Sequence, residues 1–67
     1  MAKIQLNGRK IDLKKKTTIF QLLKRYRLNN VKVAIELNGS IIPKQKYKNK
    51  ALKEKDKIEV VHFIGGG

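Results

Sequence analysis

The sequence predicts an α+β domain in which one main helix packs on one face of a mixed sheet of four to five strands. Three observations predict this architecture: two pairs of alternating segments joined by Asn-Gly, one stripe of apolar residues at helical spacing, and an apolar segment near the carboxyl end. The 67 residues suffice for one small domain and are too few for two. Because so short a chain has little interior to spare for a deep pocket, we expect it to carry, bind or dock.

The first predicted element is a β-hairpin. Apolar and polar residues alternate over residues 3–6 and again over 9–14, and Asn7-Gly8 joins the two runs. Both turn residues tolerate the positive φ of a type I′ turn, and Asn-Gly between alternating segments is the strongest short signal for a hairpin.

The single helix is predicted to begin after Thr18. Thr18 and Gln21 have the spacing of a capping box, in which each side chain binds a backbone amide left free at the helix start. Apolar residues then recur at the spacing of one helical face, namely Ile19, Leu22, Leu23 and Tyr26. We expect a helix of about ten residues that ends at Asn29-Asn30.

A second hairpin follows the helix. Residues 33–37 alternate, Asn38-Gly39 supplies the turn, and the return strand over 40–42 is short because Pro43 cannot donate to a strand ladder. The fragments that end in the two Asn-Gly turns resemble each other, but the intervening segments do not. We therefore predict two similar hairpins and not a repeat.

Residues 44–57 form a lysine-rich connection with at most a short helical turn, anchored by Tyr47, Ala51 and Leu52. The last strand is predicted over residues 57–64 and, as the most apolar strand, is expected in the middle of the sheet beside the first. One face of that strand consists of Ile58, Val60, His62 and Ile64. The opposite face consists of Glu59, Val61 and Phe63.

The net charge of +12 arises from 17 Lys and Arg against five Asp and Glu. Residues 1–28 hold nine cations and one acid, and residues 29–67 hold eight and four, so the excess runs along the whole chain. We interpret these lysines as a solvated surface, and neither a membrane nor a nucleic acid is an expected partner. The lack of a signal segment predicts a soluble protein of the cytoplasm, or of the plastid stroma if the gene lies in an organelle.

The side chains offer no catalytic constellation. The chain has no cysteine, which excludes disulfides, thiolate zinc sites and thiol catalysis, and His62 is the only histidine. The five carboxylates show no spacing typical of an acid/base pair, and no metal site is predicted.

The candidate site is the end of the main chain. We divide the chain into a domain over residues 1–64 and a flexible tail of Gly65, Gly66 and Gly67, whose last carboxylate could reach through a narrow channel into a partner's active site. Glu59, Val61 and Phe63 lie beside that tail on the face of the last strand opposite the helix. They are the candidate docking residues.

The segments 33–39, 41–44 and 58–67, which read VAIELNG, IIPK and IEVVHFIGGG, resemble the ThiS family of ubiquitin-like sulfur carriers. The resemblance covers essentially the whole chain. It departs from the family pattern at Lys55, where a glycine is usual in the turn before the last strand, and at Tyr47, where a tryptophan is frequent.

The resemblance implies a β-grasp fold and a function that resides at the carboxylate of Gly67. In that family an E1-like adenylyltransferase (ThiF-like) adenylates the terminal carboxylate, and the adenylate becomes a thiocarboxylate. A cysteine desulfurase supplies the sulfur, and thiazole synthase (ThiG-like) receives it for the thiazole ring of thiamine. The resemblance thus implies a carrier that is not itself an enzyme and binds no cofactor, since ATP and Mg²⁺ belong to the adenylating partner.

Three alternatives remain open at this point. The small subunit of molybdopterin synthase is similar in fold and tail. A basic RNA-binding β-grasp module of the TGS kind would fit the charge, although only four aromatic residues are available for stacking. A structural domain with a glycine tail left from cloning would also fit.

Overall fold

The structure, a computed structural model, describes residues 2–28 and 32–62. Its elements in chain order are β1 (Ala2–Leu6), β2 (Arg9–Leu13), α1 (Ile19–Arg25), β3 (Val33–Leu37), β4 (Ser40–Ile42), a 3₁₀ helix (Lys44–Lys46) and β5 (Lys57–His62). The strands form one sheet in the order β2-β1-β5-β3-β4. β5 runs parallel to β1 and antiparallel to β3, so the predicted mixed sheet with a central last strand is confirmed.

Both predicted hairpins are present with two-residue turns. Asn7 and Gly8 have φ of 50° and 83°, and Asn38 and Gly39 have φ of 53° and 88°. Positive φ at both central positions is the signature of the type I′ turn. The pairing of Leu6 with Arg9 and of Leu37 with Ser40 closes the two turns.

Helix α1 begins as predicted. The Gln21 amide donates to Thr18 Oγ1 at 3.2 Å, and the Thr18 amide donates to Gln21 Oε1 at 2.9 Å, which completes the capping box. Ile19, Leu22 and Leu23 are buried against the sheet.

The predicted end of the helix is wrong, because α1 has seven residues and ends at Arg25. Arg27 has φ of 60°, its amide donates to the Lys24 carbonyl at 3.1 Å, and the Leu28 amide donates to the Leu23 carbonyl at 2.7 Å. This pair of bonds is a Schellman motif, which closes a helix even without glycine in the left-handed position. Tyr26 therefore lies at the C-cap, 43% exposed, instead of on the buried stripe.

The core fills the space between α1 and one face of the sheet. Its buried apolar members are Ile4, Leu13, Ile19, Leu22, Leu23, Ile35, Leu37, Tyr47, Leu52, Ile58 and Val60. Burial raises the pKa of the Tyr47 hydroxyl, and a hydrogen bond with the backbone of Ile35 partly offsets this rise. The opposite face of the sheet, which we call the open sheet face, has no layer over it among the described residues.

The connection after β4 packs beside α1. Leu52 donates its amide to the Thr17 carbonyl at 2.8 Å, and the amides of Ile19 and Phe20 donate to the carbonyls of Lys50 and Tyr47 at 3.0 Å each. Tyr47 and Leu52 are buried, as predicted for anchors of this segment. Residues 14–28 and 44–53 therefore form one continuous surface, which we call the helix layer.

The helix layer holds most of the charge of the protein. It contains 11 of the 17 Lys and Arg and none of the five Asp and Glu. All 11 of these cations are exposed. The rest of the chain has six cations against five carboxylates. The excess of cations, which runs along the whole sequence, is thus concentrated on one side of the fold.

Helix α1 is far shorter than the roughly 20 residues that a bilayer-spanning helix needs. Within the described part of the chain, no helix has the length and apolar character to cross a membrane.

Besides the two turn asparagines, two further described residues with side chains occupy the left-handed region, where glycine is favoured. Besides Arg27, Lys55 has φ of 70° in the turn that the Asp56 amide closes by donating to the Lys53 carbonyl at 3.1 Å. We predict that Arg27→Gly and Lys55→Gly each raise the free energy of unfolding by about 0.5–1 kcal/mol, since relief of the left-handed strain exceeds the entropic cost of glycine. Urea unfolding followed by circular dichroism measures the change.

The matched control is Lys24→Gly, an exposed position inside α1, which is predicted to lower the free energy of unfolding by about 1 kcal/mol. If all three substitutions to glycine lower the free energy of unfolding, the left-handed conformations of Arg27 and Lys55 are not strained.

Candidate functional site

The candidate site is the carboxyl end of β5 together with the residues that follow it. β5 lies between β1 and β3, and His62 pairs with Val33 at the last described position of the strand. Phe63, Gly65, Gly66 and Gly67 lie outside the described residues, as does Ile64. What the structure describes is therefore β5, which leads into residues 63–67, and the surface around the end of that strand.

The Asn7 side chain holds β5 where its pairing with β1 ends. The two strands pair only at Gln5 with Lys57 and Leu6 with Ile58. Beyond that point Asn7 Oδ1 accepts from the Val60 amide at 2.7 Å, and the Asn7 amide donates to the Ile58 carbonyl at 3.0 Å. A weaker contact of 3.5 Å joins Asn7 Nδ2 to the Val60 carbonyl. The turn residue therefore extends the strand ladder with its own side chain.

Asn38 does the same at the beginning of β5. Its Oδ1 accepts from the Lys57 amide at 2.8 Å, and its own amide donates to the Lys57 carbonyl at 2.7 Å. Its Nδ2 donates to Asp56 Oδ1 at 3.0 Å, while Asp56 Oδ2 accepts from the Lys53 amide at 2.9 Å. Asp56 is 3% exposed, and these bonds supply the partners that a buried carboxylate requires.

Sequence reasoning assigned Asn7 and Asn38 only to turns and gave Asp56 no role. Glycine, aspartate and asparagine all accept positive φ in a type I′ turn. Of these three, only asparagine has a side chain that both donates and accepts hydrogen bonds at neutral pH. The presence of asparagine in both turns was therefore the sequence signal for side chains that bind the last strand. It could not be interpreted without knowing that both turns lie against the same strand.

The open sheet face beside the end of β5 combines apolar and acidic groups. Val61 is 49% exposed and pairs with Ala34, while Ile41 is 64% exposed and pairs with Glu36. Glu59 is exposed and lies directly opposite Glu36 in the register. Like charges in that position destabilise a sheet, and they make the surface complementary to a basic partner. We call this set the docking face: Ala34, Glu36, Ile41, Glu59 and Val61.

The predicted face assignment of β5 is confirmed for four residues, because Ile58 and Val60 are buried while Glu59 and Val61 are exposed. His62 is exposed at the end of the strand, although its position in the alternation places it on the buried side.

Within residues 2–28 and 32–62, no group of three His, Asp or Glu lies close enough together to hold a metal ion.

Comparison with known proteins adds to this geometry. Residues 4–67 match the ThiS family. The chain is 48% identical over 65 residues to the sulfur carrier protein ThiS of Bacillus subtilis, an alignment that covers 96% of this chain and 98% of that protein. It is also 38% identical over 65 residues to a thiazole synthase of Paramagnetospirillum magneticum, with 97% of this chain and 20% of that protein covered.

A crystal structure of ThiS from Geobacter metallireducens superposes on this chain with a TM-score of 0.82. The two sequences are 24% identical, and the alignment covers 97% of this chain and 99% of that one. This likeness identifies the arrangement of one helix on a five-stranded mixed sheet as the ubiquitin-like β-grasp fold.

We predict that Asn38→Gly, which keeps the positive φ of the turn, lowers the free energy of unfolding by about 1–3 kcal/mol. The loss arises because the Lys57 amide and the buried Asp56 carboxylate each lose a partner. Asn7→Gly is expected to cost about 1 kcal/mol and to speed hydrogen exchange of the Val60 amide. Urea unfolding and amide exchange measure these effects.

The control for the entropic cost of glycine is Asn49→Gly, since the Asn49 side chain has no hydrogen-bond partner among the described residues. If Asn38→Gly and Asn49→Gly lower stability equally, the side chain of Asn38 has no holding role.

Proposed function

The chain belongs to the ThiS family, and we propose that this sulfur carrier of thiamine biosynthesis holds its cargo on the carboxylate of Gly67. The observation that carries the proposal is the 48% identity to a ThiS sulfur carrier across 98% of that protein's length. The match to the family also extends through Gly67. The chain acts as a co-substrate of its partner enzymes rather than as a catalyst.

The proposed chemistry converts a poor electrophile into a reactive one. A carboxylate oxygen of Gly67 attacks the α-phosphorus of ATP, and pyrophosphate leaves. Hydrosulfide then attacks the carbonyl carbon, AMP leaves, and loss of the sulfur-bound proton gives a thiocarboxylate. If the sulfur arrives as a persulfide, the attack forms an acyl disulfide, and a thiol reductant of the partner system cleaves its S–S bond to release the thiocarboxylate. Division of one difficult exchange into two easier steps through a covalent intermediate is a general strategy of group transfer.

Gly65 and Gly66 allow the carboxylate of Gly67 to extend into the active site of a partner enzyme. Without side chains they fit a channel too narrow for other residues, and their backbones adopt conformations closed to other residue types. These residues follow β5, and the side chains of Asn7 and Asn38 bind that strand from its two neighbouring hairpins.

Three partners follow from this proposal. An E1-like adenylyltransferase of the ThiF kind binds ATP and Mg²⁺ and forms the adenylate, a cysteine desulfurase supplies the sulfur, and a thiazole synthase of the ThiG kind receives it. Similarity to a segment that spans 20% of a thiazole synthase supports the last of these, because a carrier segment joined to its synthase has a raised effective concentration. These steps take place in the cytoplasm, or in the plastid stroma for an organelle-encoded chain.

The docking face, together with Phe63, is the surface that the partners recognise. Exposed apolar groups beside a functional terminus are typical of an interaction site, and the paired carboxylates of Glu36 and Glu59 favour a partner with basic groups around an apolar centre. Val61 of this face precedes Gly65 by four residues in the chain, so a partner bound there has the reactive carboxylate within reach.

We predict that incubation with the adenylating enzyme, ATP, Mg²⁺ and a sulfur source exchanges one oxygen of the terminal carboxylate for sulfur. Intact-mass spectrometry detects the exchange and also tests whether the mature chain ends at Gly67. A variant that lacks Gly66 and Gly67 is the control, since it retains every described residue and is expected to fold. Sulfur uptake by that variant, or none by the full chain, would contradict the assignment of Gly67.

We predict that Val61→Asp raises the KM of the adenylating enzyme for the carrier about tenfold with little change in kcat, because it puts a charge where the proposed complex buries an apolar side chain. Gln45→Asp, which also adds one negative charge at an exposed position outside the docking face, is the matched control. Equal effects of the two variants on KM would show that the docking face is not the recognition surface.

A further inference from the structure

The helix layer has a charge pattern that the carrier function does not use. Its two segments, residues 14–28 and 44–53, contain 11 cations and no acidic residue. The rest of the chain has six cations and five carboxylates, so its net charge is only +1. Like charges so concentrated repel one another, and no salt bridge within the layer can relieve that repulsion. Such a surface gains most from a partner that brings many negative charges.

A groove lies within this layer at the side of α1. Its volume is about 410 Å³, and it is lined by Lys14, Lys15, Thr17, Gln21 and Arg25. Three cations and two hydrogen-bonding side chains thus surround one concave surface without any carboxylate. Phosphate oxygens bind to such groups, since arginine and lysine donate to them and hydroxyl and amide side chains add further contacts.

Two aromatic rings lie in the same layer. Tyr26 is 43% exposed and stands between Arg25 and Arg27 in the chain, directly after the groove residue Arg25. Lys48 places its Nζ 5.0 Å from the centre of the Phe20 ring. A cationic surface with an exposed aromatic ring is typical of sites that follow a nucleic-acid backbone and stack an unpaired base.

We propose that the helix layer binds single-stranded RNA, with the phosphate backbone in the groove of Lys14, Lys15 and Arg25 and a base stacked on Tyr26. Cations alone attract a protein to an anionic lipid surface, but anchoring in that surface also needs several exposed apolar side chains. An acidic protein would require an apolar centre. Among the described residues Tyr26 is the only large apolar side chain that this layer exposes, because Ile41 and Val61 lie on the docking face. The observations therefore favour RNA.

RNA binding at this surface leaves the carrier function free. The groove lies on the helix side of the sheet, and the docking face lies on the other side, with the apolar core between them. The proposal goes beyond sulfur transfer and does not depend on it. A carrier bound to RNA could still present its tail to an enzyme.

The test measures fluorescence anisotropy of a labelled oligouridine of about 16 nucleotides at salt concentrations from about 50 to 200 mM. The groove variant Lys14→Gln/Lys15→Gln/Arg25→Gln is expected to bind about tenfold more weakly and to reduce the slope of log K against log salt by about 2, since each phosphate contact contributes about 0.7. The matched control Arg9→Gln/Lys10→Gln/Lys57→Gln removes the same charge outside the helix layer and is expected to change affinity less than about threefold.

A second variant tests the aromatic contact. Tyr26→Ala is expected to weaken binding about tenfold, and Tyr26→Phe is expected to retain it because stacking needs only the ring. If circular dichroism shows that the groove variant does not fold, Lys44→Gln/Lys46→Gln/Lys50→Gln removes three cations from the exposed connection of the same layer and takes its place.

Polyglutamate of equal length and phosphatidylserine vesicles are the competing ligands. Binding of either one as tight as that of the RNA would overturn the proposal in favour of an acidic protein or a lipid surface. If the groove variant and its control lose the same RNA affinity, the net charge of the protein and not the groove accounts for the binding, and the proposal is wrong. Absence of RNA binding at about 50 mM salt would also contradict the proposal. Sulfur loading of the groove variant, followed by intact mass, is expected to be unchanged, so failure here and failure of the carrier function are separable.

Discussion

The central position of β5 depends on hydrogen bonds from two asparagine side chains. An interior strand must satisfy the amides and carbonyls along both of its edges, since an unpaired backbone group away from water is costly. β1 pairs with β5 over only two positions, and Asn7 continues the ladder to Val60. Asn38 covers Lys57 on the other side and also partners the buried Asp56. The strand that leads into the proposed carrier tail is thereby held near both ends.

A second consequence of this arrangement is the separation of two surfaces. With α1 and the connection on one side of the sheet, the molecule has a strongly cationic layer and an open sheet face of mixed apolar and acidic character. The core between them buries residues from both hairpins, the helix and the connection. A domain of this size can therefore present two different surfaces to two different partners, even though so short a chain has little interior to spare.

The helix shows how much of the local structure depends on packing. Seven residues are too few for a stable helix in isolation, because nucleation is costly and few bonds repay it. A capping box at one end and a Schellman motif at the other satisfy the free backbone groups, and three apolar side chains anchor the helix on the sheet. Arg27 and Lys55 hold left-handed conformations that glycine would adopt with less strain, so part of the packing energy offsets that strain.

Features that depend on neighbouring residues could be predicted from the sequence alone. Asn-Gly dictates the positive φ of both turns, alternation dictates which residues of β5 face the core, and Thr18 with Gln21 dictates where α1 begins, because each rule acts over a few residues. The resemblance in segments 33–39 and 58–67 likewise identified the family. The end of α1 escaped these rules, since Arg27 gives no sign in the sequence that it accepts a left-handed conformation.

Only the tertiary structure decided the remaining features. Asn7 meets Val60 across 53 residues and Asn38 meets Lys57 across 19, so no local pattern could reveal that two turn residues hold the last strand. The burial of Asp56 follows from the same contacts. Cations from two segments far apart in the sequence share one charged layer because hydrogen bonds join residues 17–20 to residues 47–52. The order of residues determines charge along the chain, whereas packing determines which charges share a surface.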